Sequence, residues 1–420
     1  MTSANARARS EFAAIYLLPA FLINVGNAAA YLFQLVLGRS MSAADFGTFN
    51  AAFALVLVAT APTGVAHLIV AHLAISRGEM ADPAFYRACL KFGAGAGLAV
   101  FIIGFPLAGL ATGGSGYHWA TVLAAVATVA FAFLQPIPAG IIQSRGDHLM
   151  FAVVQGSITV CRLAGGVVLV TLLGFGVPGA MSAVAFSLVF ALLLGLWLER
   201  GMLFAPGAPL PLLELGRDAV RFGWPQLLTA LLVSGLTTLD VALVRTLDTP
   251  EAAGLYASAS VIGRMGLLLP GALTGIIFVE AARARAGLKL VIITIALAFG
   301  LAACVLLPVL VAPGWILGLL LGERYVGAAH LLQVTTAAMC CMAVAQAAMM
   351  HLLGRRNYAY VFVLAAAVAG FLLAVYVLKP QALGMAWLLL ATNGLVLLAC
   401  VFMAVAVARR EGMALPEMLK

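Results

Sequence analysis

Long apolar stretches separated by short polar breaks fill the chain from about residue 12 to residue 408. Stretch length decides the element type, because about 20 consecutive apolar residues make one membrane-crossing helix. On that measure the sequence predicts twelve spans, roughly 12–37, 46–75, 89–111, 117–142, 149–173, 177–199, 219–245, 253–279, 288–311, 327–352, 358–378 and 381–408. The expected fold class is an all-α polytopic membrane protein. The short basic leader "MTSANARARSEF" runs on into a full span without a clear small-residue cleavage site, so it reads as the start of span 1 rather than a signal peptide.

The polar positions inside the spans are few and patterned. Asn24, Asn27, Tyr31 and Gln34 recur at i, i+3, i+7 and i+10, which places them on one face of span 1. Gln155, Thr159 and Arg162 share a face of span 5 in the same way, as do Tyr256, Ser260 and Arg264 in span 8. A polar stripe on a lipid-buried helix is expected to look at a cavity or at another helix, and both uses stay open for the individual Asn, Gln and Tyr side chains.

The longest polar connection, "RGMLFAPGAPLPLLELGRD", falls between spans six and seven. It divides the chain into an expected N-terminal lobe (1–200), a linker (201–218) and a C-terminal lobe (219–420) of six helices each. Landmarks repeat between the lobes at an offset of about 206–208 residues: Pro19 with Pro225, Arg39 with Arg245, Gly47 and Phe49 with Gly254 and Tyr256, and Pro62 with Pro270. "QSRGDH" after span 4 similarly answers to "LGRRNY" after span 10. Copies separated by six spans start on the same side of the membrane, so the repeat is parallel, with a pseudo-two-fold axis along the membrane normal. That is the mark of a transporter with two lobes that rock about a central site; the four prolines break helical hydrogen bonds and allow bending, which suits such rocking, although proline is also common in membrane helices generally.

Composition agrees with the spans. The chain is 64% hydrophobic and 9% charged, against roughly 45–50% and about 25% in soluble domains. Its excess of Lys and Arg, 23 against 15 acids, points to nucleic acid only if the basic residues cluster without regard to the spans. They do not: with the N-terminus inside, seventeen lie in inner segments and four (Arg39, Arg245, Arg324, Lys379) in outer ones. This is the positive-inside pattern, and it puts both termini in the cytoplasm. The six cysteines lie in or beside apolar spans without metal-ligand spacing, as small apolar fillers.

Arg162 and Arg264 remain inside the spans. An arginine in mid-bilayer costs at least about 2.5–3.5 kcal/mol and is a functional hypothesis by default. Each lies eleven residues from the outer end of its span, roughly 16 Å deep at helical rise. The only acid within a span interior is Asp240, roughly 9 Å shallower than Arg264 by the same count. The expectation is therefore a wet cationic cavity, to which planar guanidinium groups bring paired donors suited to a diphosphate.

"LGRSMSAADFGTFNAAFAL", "PAGIIQSRGDH" and "FGWPQLL" through "LDVALVRTLDTPEAAGLYASASVIGR" resemble the polysaccharide-transport (Wzx-type) flippase branch of the multidrug/oligosaccharidyl-lipid/polysaccharide (MOP) exporter superfamily. The resemblance implies two six-helix bundles in a V around a central cavity that moves undecaprenyl-diphosphate-linked oligosaccharide from the inner to the outer leaflet. It also implies a bacterial inner-membrane location and service to cell-surface polysaccharide synthesis. The lipid II flippases of this superfamily carry cavity arginines in helices 1 and 8; Arg264 fits the second position, whereas helix 1 here has Asn24 and Asn27 and no charge.

The expected site is thus Arg264 and Arg162 for the diphosphate, with Asn24, Asn27, Tyr31, Gln34, Gln155, Thr159, Tyr256 and Ser260 for sugar or cavity lining. Asp240, His67 and His351 are the titratable candidates for ion coupling, with the membrane potential acting on the arginines as the alternative. No metal or cofactor is expected. The expected partners are the lipid-linked substrate, membrane lipids and the glycosyltransferases or polymerase of the same pathway, and the expected state is a monomer. A multidrug antiporter of the same superfamily would favour an acidic residue in helix 1, which is absent. A membrane enzyme of polysaccharide assembly would need a catalytic cluster and a sizeable outer loop, and the sequence has neither.

Overall fold

The computed structural model describes residues 18–80, 82–112, 117–206, 212–267 and 288–418. Among these the regular structure is helical. The first part comprises α1 (Leu18–Ser40), α2 (Ala43–Gly64), α3 (Ala66–Arg77), α4 (Pro83–Thr112), α5 (Trp119–Ala132), α6 (Pro136–Ser144), α7 (His148–Gly166), α8 (Gly176–Leu198) and α9 (Arg200–Phe204). Then follow α10 (Leu212–Leu247), α11 (Pro250–Gly263), α12 (Leu288–Val311), α13 (Pro313–Leu320), α14 (Ala329–Gly354), α15 (Ala359–Leu378) and α16 (Ala382–Met418). Eleven segments of the described residues are long and apolar enough to cross a membrane. The expected eighth span begins as α11 and tightens into a 3-10 turn at Arg264–Leu267; its remainder, with Pro270, lies outside the described residues, as does the start of span 1.

Two expected spans are broken. Span 2 is α2 followed by α3, and the break follows Pro62, which has no N–H for the preceding turn and whose ring displaces the carbonyl four residues back. Span 4 is α5 followed by α6, which starts on Pro136 after the interruption at Phe133–Gln135. Pro225, by contrast, sits inside an unbroken α10, where Thr229 Oγ1 donates to the Pro225 carbonyl at 2.6 Å. A helix break thus follows Pro62, and none occurs at Pro225. Part of the expected linker is helical as well: Arg200–Phe204 forms α9 and Leu212 opens α10.

Contacts group the residues into two compact units, Met1–Met41 with Leu55–Leu231 and Ser42–Ala54 with Leu232–Lys420, so the division falls within α2 and α10. In the first unit α1 runs along α7. A methyl at Gly26 would lie 2.9 Å from Thr159 Oγ1, and one at Gly166 would meet the Phe33 ring at 2.7 Å. Small residues at such crossings let membrane helices gain close van der Waals contact where no hydrophobic driving force separates protein from lipid. At the basic ends of its helices, Arg77 pairs with Asp218 and Arg145 with Glu199.

In the second unit α14 is flanked by α11, α12 and α16. Here the repeat has physical form. Ser42 caps α2, accepting from Asp45 N–H, and Thr249 caps α11, accepting from Ala252 N–H. Five residues on from each cap, Gly47 and Gly254 press on one another: a Cβ on Gly47 would fall 2.6 Å from the Gly254 nitrogen, and one on Gly254 would strike the Ala43 carbonyl. The repeat shows again after α6 and after α14, where Gly146 (φ +77°) and Arg356 (φ +54°) take the same left-handed place in the turn.

Candidate functional site

Each unit holds one of the two intramembrane arginines, and their surroundings differ. In the first unit α1 has three faces. Gly26, Phe33 and Leu37 turn toward α7 or the interior. Phe21, Val25 and Leu32 form an exposed apolar face suited to lipid. Between them lie the expected polar positions: Asn24 and Asn27 are exposed, Tyr31 is half-buried, and Gln34 is buried with its Oε1 lacking a hydrogen bond. Amides at the surface of a membrane-spanning helix suit polar surroundings, because transferring an amide into hydrocarbon costs several kcal/mol.

α7 packs on α1 at Gly26 and Phe33. Gln155 accepts from Gln135 Nε2 at 2.8 Å, and Gln135 is presented by the break between α5 and α6. Thr159 donates to the Gly156 carbonyl at 3.0 Å and lies under Gly26. Arg162 is half-buried, its guanidinium carbon 5.7 Å from the Phe33 ring centroid, a cation–π distance. The triad of α7 thus lies on a helix packed along α1, with Gln155 and Thr159 engaged in hydrogen bonds within the unit. His67, a coupling candidate, is half-buried and lies 5.3 Å from the Phe151 ring.

The second arginine departs from expectation. Arg264 Nε donates to the Thr237 carbonyl at 2.8 Å, and its Nη2 lies 3.8 Å from Asp240 Oδ1. The other Asp240 oxygen accepts from Tyr256 OH at 2.8 Å. Tyr256, Ser260 and Asp240 are all fully buried, so Tyr256 and Ser260 pack inside the unit rather than line a cavity. The depth count failed because it tracked Cα positions alone. Every Cα–Cβ bond leans toward its own helix's N-terminus. In the antiparallel pair α10 and α11 these leanings are opposed, so Asp240 and Arg264 reach toward each other across the apparent gap. The hairpin itself held the signal: Asp240 and Tyr256 are nearly equidistant from the turn at Asp248–Thr249. His351 is buried, with its Nε2 lacking a hydrogen bond.

The chemical capacity of these parts is clear. The first unit offers exposed amides, a phenol and a guanidinium beside an aromatic ring, a set matched to hydroxyl-rich and anionic ligands. The second offers a buried Arg–Asp–Tyr cluster, in which Tyr256 hydrogen-bonds Asp240 and Arg264 lies at ion-pair distance from it while bonded to the Thr237 carbonyl.

Comparison with known proteins follows this division of fold and chemistry. The family described as "Polysaccharide biosynthesis protein" matches residues 16–278. No curated protein matches the sequence. Among solved structures, the chain is similar to the lipid II flippase MurJ in an inward closed conformation, with a TM-score of 0.75 and 10% identity over 94% of this chain and 91% of that one. It is similar to an inward-facing multidrug resistance MATE family transporter, with a TM-score of 0.71 and 15% identity over 94% and 96%. It also resembles a MOP superfamily transporter from Pyrococcus furiosus Vc1, described by the reverse polarity of its binding pocket, with a TM-score of 0.60 and 18% identity over 95% and 96%. Identities this low speak to the fold, and the family match covers more than half of the sequence. This multi-pass membrane chain, helical in the regular structure of its described residues, belongs to the polysaccharide biosynthesis protein family and shares the two-lobed fold of the MOP exporter superfamily.

Proposed function

We propose that the protein is a flippase that carries undecaprenyl-diphosphate-linked oligosaccharide from the inner to the outer leaflet of a bacterial inner membrane by alternating access, with both termini cytoplasmic. The observation that carries the reading is the exposed amide face of α1, Asn24 and Asn27, on a helix that packs along α7, the bearer of Arg162. In a membrane-spanning unit such a face suits sugar hydroxyls, and a guanidinium on the neighbouring helix suits the diphosphate. The family match adds the polysaccharide context, and the fold is one that the lipid II flippase MurJ also has.

In this reading Asn24, Asn27, Tyr31 and Gln34 contact sugar while Arg162 takes the diphosphate. Arg264 enters as the second cation, held by Asp240 in its own unit until an anionic group competes for it. The glycosyltransferases and polymerase of the pathway supply and consume the substrate, and the chain acts as a monomer without cofactor or catalytic step. Asp240 is engaged with Tyr256 and Arg264, which leaves the membrane potential acting on the arginines as the favoured driving force over a carboxylate-borne ion.

The test is surface polysaccharide in cells whose own copy is replaced by Arg162→Ala or by Asn24→Leu/Asn27→Leu, with membrane insertion followed by immunoblot. Loss of polysaccharide with normal insertion is expected. Normal polysaccharide in both variants would overturn the reading, as would efflux of organic cations by the purified protein without transfer of lipid-linked sugar.

A further inference from the structure

The first unit contains a cavity of about 240 Å³ that neither arginine cluster uses. Its walls come from the α2–α3 break, α4, the α5–α6 break and α10, with Pro62, Ile69, Phe92, Phe133, Leu215 and Leu227 among them; α1 and α7, which carry the polar face, contribute nothing. The lining is apolar apart from Thr63 and the Cys89 thiol. A volume below the roughly 300–1,000 Å³ of ordinary small-molecule pockets, with walls that offer sugars and phosphates almost nothing, fits one hydrocarbon chain.

The shape agrees with that occupant. Along α10 the lining runs from Leu215 to Leu227, a distance of about 18 Å at helical rise. Phe92 and Val220, both lining residues, are 49% and 60% exposed, so the groove is open to the surroundings along its side. The wall is fixed: His72 stacks on Phe222 with ring centroids 3.5 Å apart, and Arg77 ties down Asp218.

Charge completes the picture. Arg217 and Arg221 are exposed on α10 next to the lining residues Gly216 and Val220, at the basic end of the helices. Of the carboxylates on that turn, Asp218 is neutralised by Arg77, which leaves Glu214 against two arginines. Two exposed arginines beside an apolar slot that runs on from Val220 to Leu227 are complementary to a lipid with an anionic headgroup. We propose that this groove is a binding site for an anionic phospholipid of the cytoplasmic leaflet, one acyl chain lying between α4 and α10 and the headgroup phosphate on Arg217 and Arg221. The site is separate from the transport path and does not rest on the flippase reading. Because two of its walls are helix breaks, its occupant braces the bends of α2–α3 and α5–α6.

The test uses the full chain in phosphatidylethanolamine vesicles containing phosphatidylglycerol with a photoactivatable diazirine in mid-chain, the cross-linked peptides being mapped by mass spectrometry. Cross-links concentrated at Phe92 and Ala219 are expected. They should fall about fivefold for each of Arg217→Gln and Arg221→Gln, exposed changes that leave the core alone, and disappear in Ala219→Trp, which fills the slot. Cross-links spread evenly over lipid-facing positions such as Phe362 would overturn the proposal. So would equal labelling by diazirine-bearing phosphatidylethanolamine, or arginine variants that label like wild type. Displacement by stoichiometric polyprenyl diphosphate would also overturn it, by making the groove part of the substrate path. None of these outcomes depends on measuring transport.

Discussion

Asp240 and Arg264 show how the smallest scale governs what an experiment can mean. Removing one member of a buried ion pair leaves the other charged and alone, at a cost of about 3–5 kcal/mol. Arg264→Ala is therefore expected to lower stability as well as transport, and its phenotype by itself says little about a substrate. The pair Asp240→Asn/Arg264→Gln removes both charges together. Thermal unfolding in detergent should show it recovering most of the stability lost by Arg264→Ala; if transport stays absent, Arg264 handles the diphosphate directly, and if transport returns, its place is structural. Asn27→Leu makes the opposite case. Its side chain is exposed on α1, so unfolding should stay within about 0.5 kcal/mol of wild type while transfer of lipid-linked sugar falls. The α1 stripe was legible because a helical period places Asn24, Asn27, Tyr31 and Gln34 together whatever surrounds them. The pairing of Asp240 was not, because it depends on the direction in which side chains lean, and Cα counting discards direction.

At the scale of elements, the turns and breaks divide into those the sequence announces and those it does not. Pro62 and Pro136 mark breaks that follow from a missing N–H, whereas Pro225 has the same chemistry and its helix continues. A local rule gives the strain at a proline, and the packing around it decides whether the helix yields. The paired turns after α6 and α14 allow a sharper forecast. Arg356 holds a left-handed conformation that costs an L residue about 1–2 kcal/mol, and Gly146 holds the equivalent one freely. Gly146→Ala should lose about 1 kcal/mol of stability, while Arg356→Gly should match or exceed wild type; calorimetry of the two variants checks both.

For the molecule as a whole, the distribution of basic residues predicts which ends of the helices meet the cytoplasm, and this can be read without any transport assay. In a background lacking the native cysteines, Arg356→Cys should react with a membrane-impermeant maleimide only in inverted vesicles, and Lys379→Cys only in intact cells. Reaction of both from the same side would end the assigned orientation. Eleven of the twelve expected spans and the duplicated plan were legible because each is written many times over in the sequence, in the length of every apolar run and in the landmarks about 207 residues apart. The lipid groove was not, since it is made where four separated stretches happen to leave room. Gly47 and Gly254 carry a last consequence. After a gene duplicates, most positions of the two copies drift independently, but here each copy's backbone fills the space that a side chain on the other would need. A methyl gained by one half would have to be absorbed by the other, so at this seam the halves share a single history and a Gly254→Ala change should cost about as much as Gly47→Ala, near 3 kcal/mol.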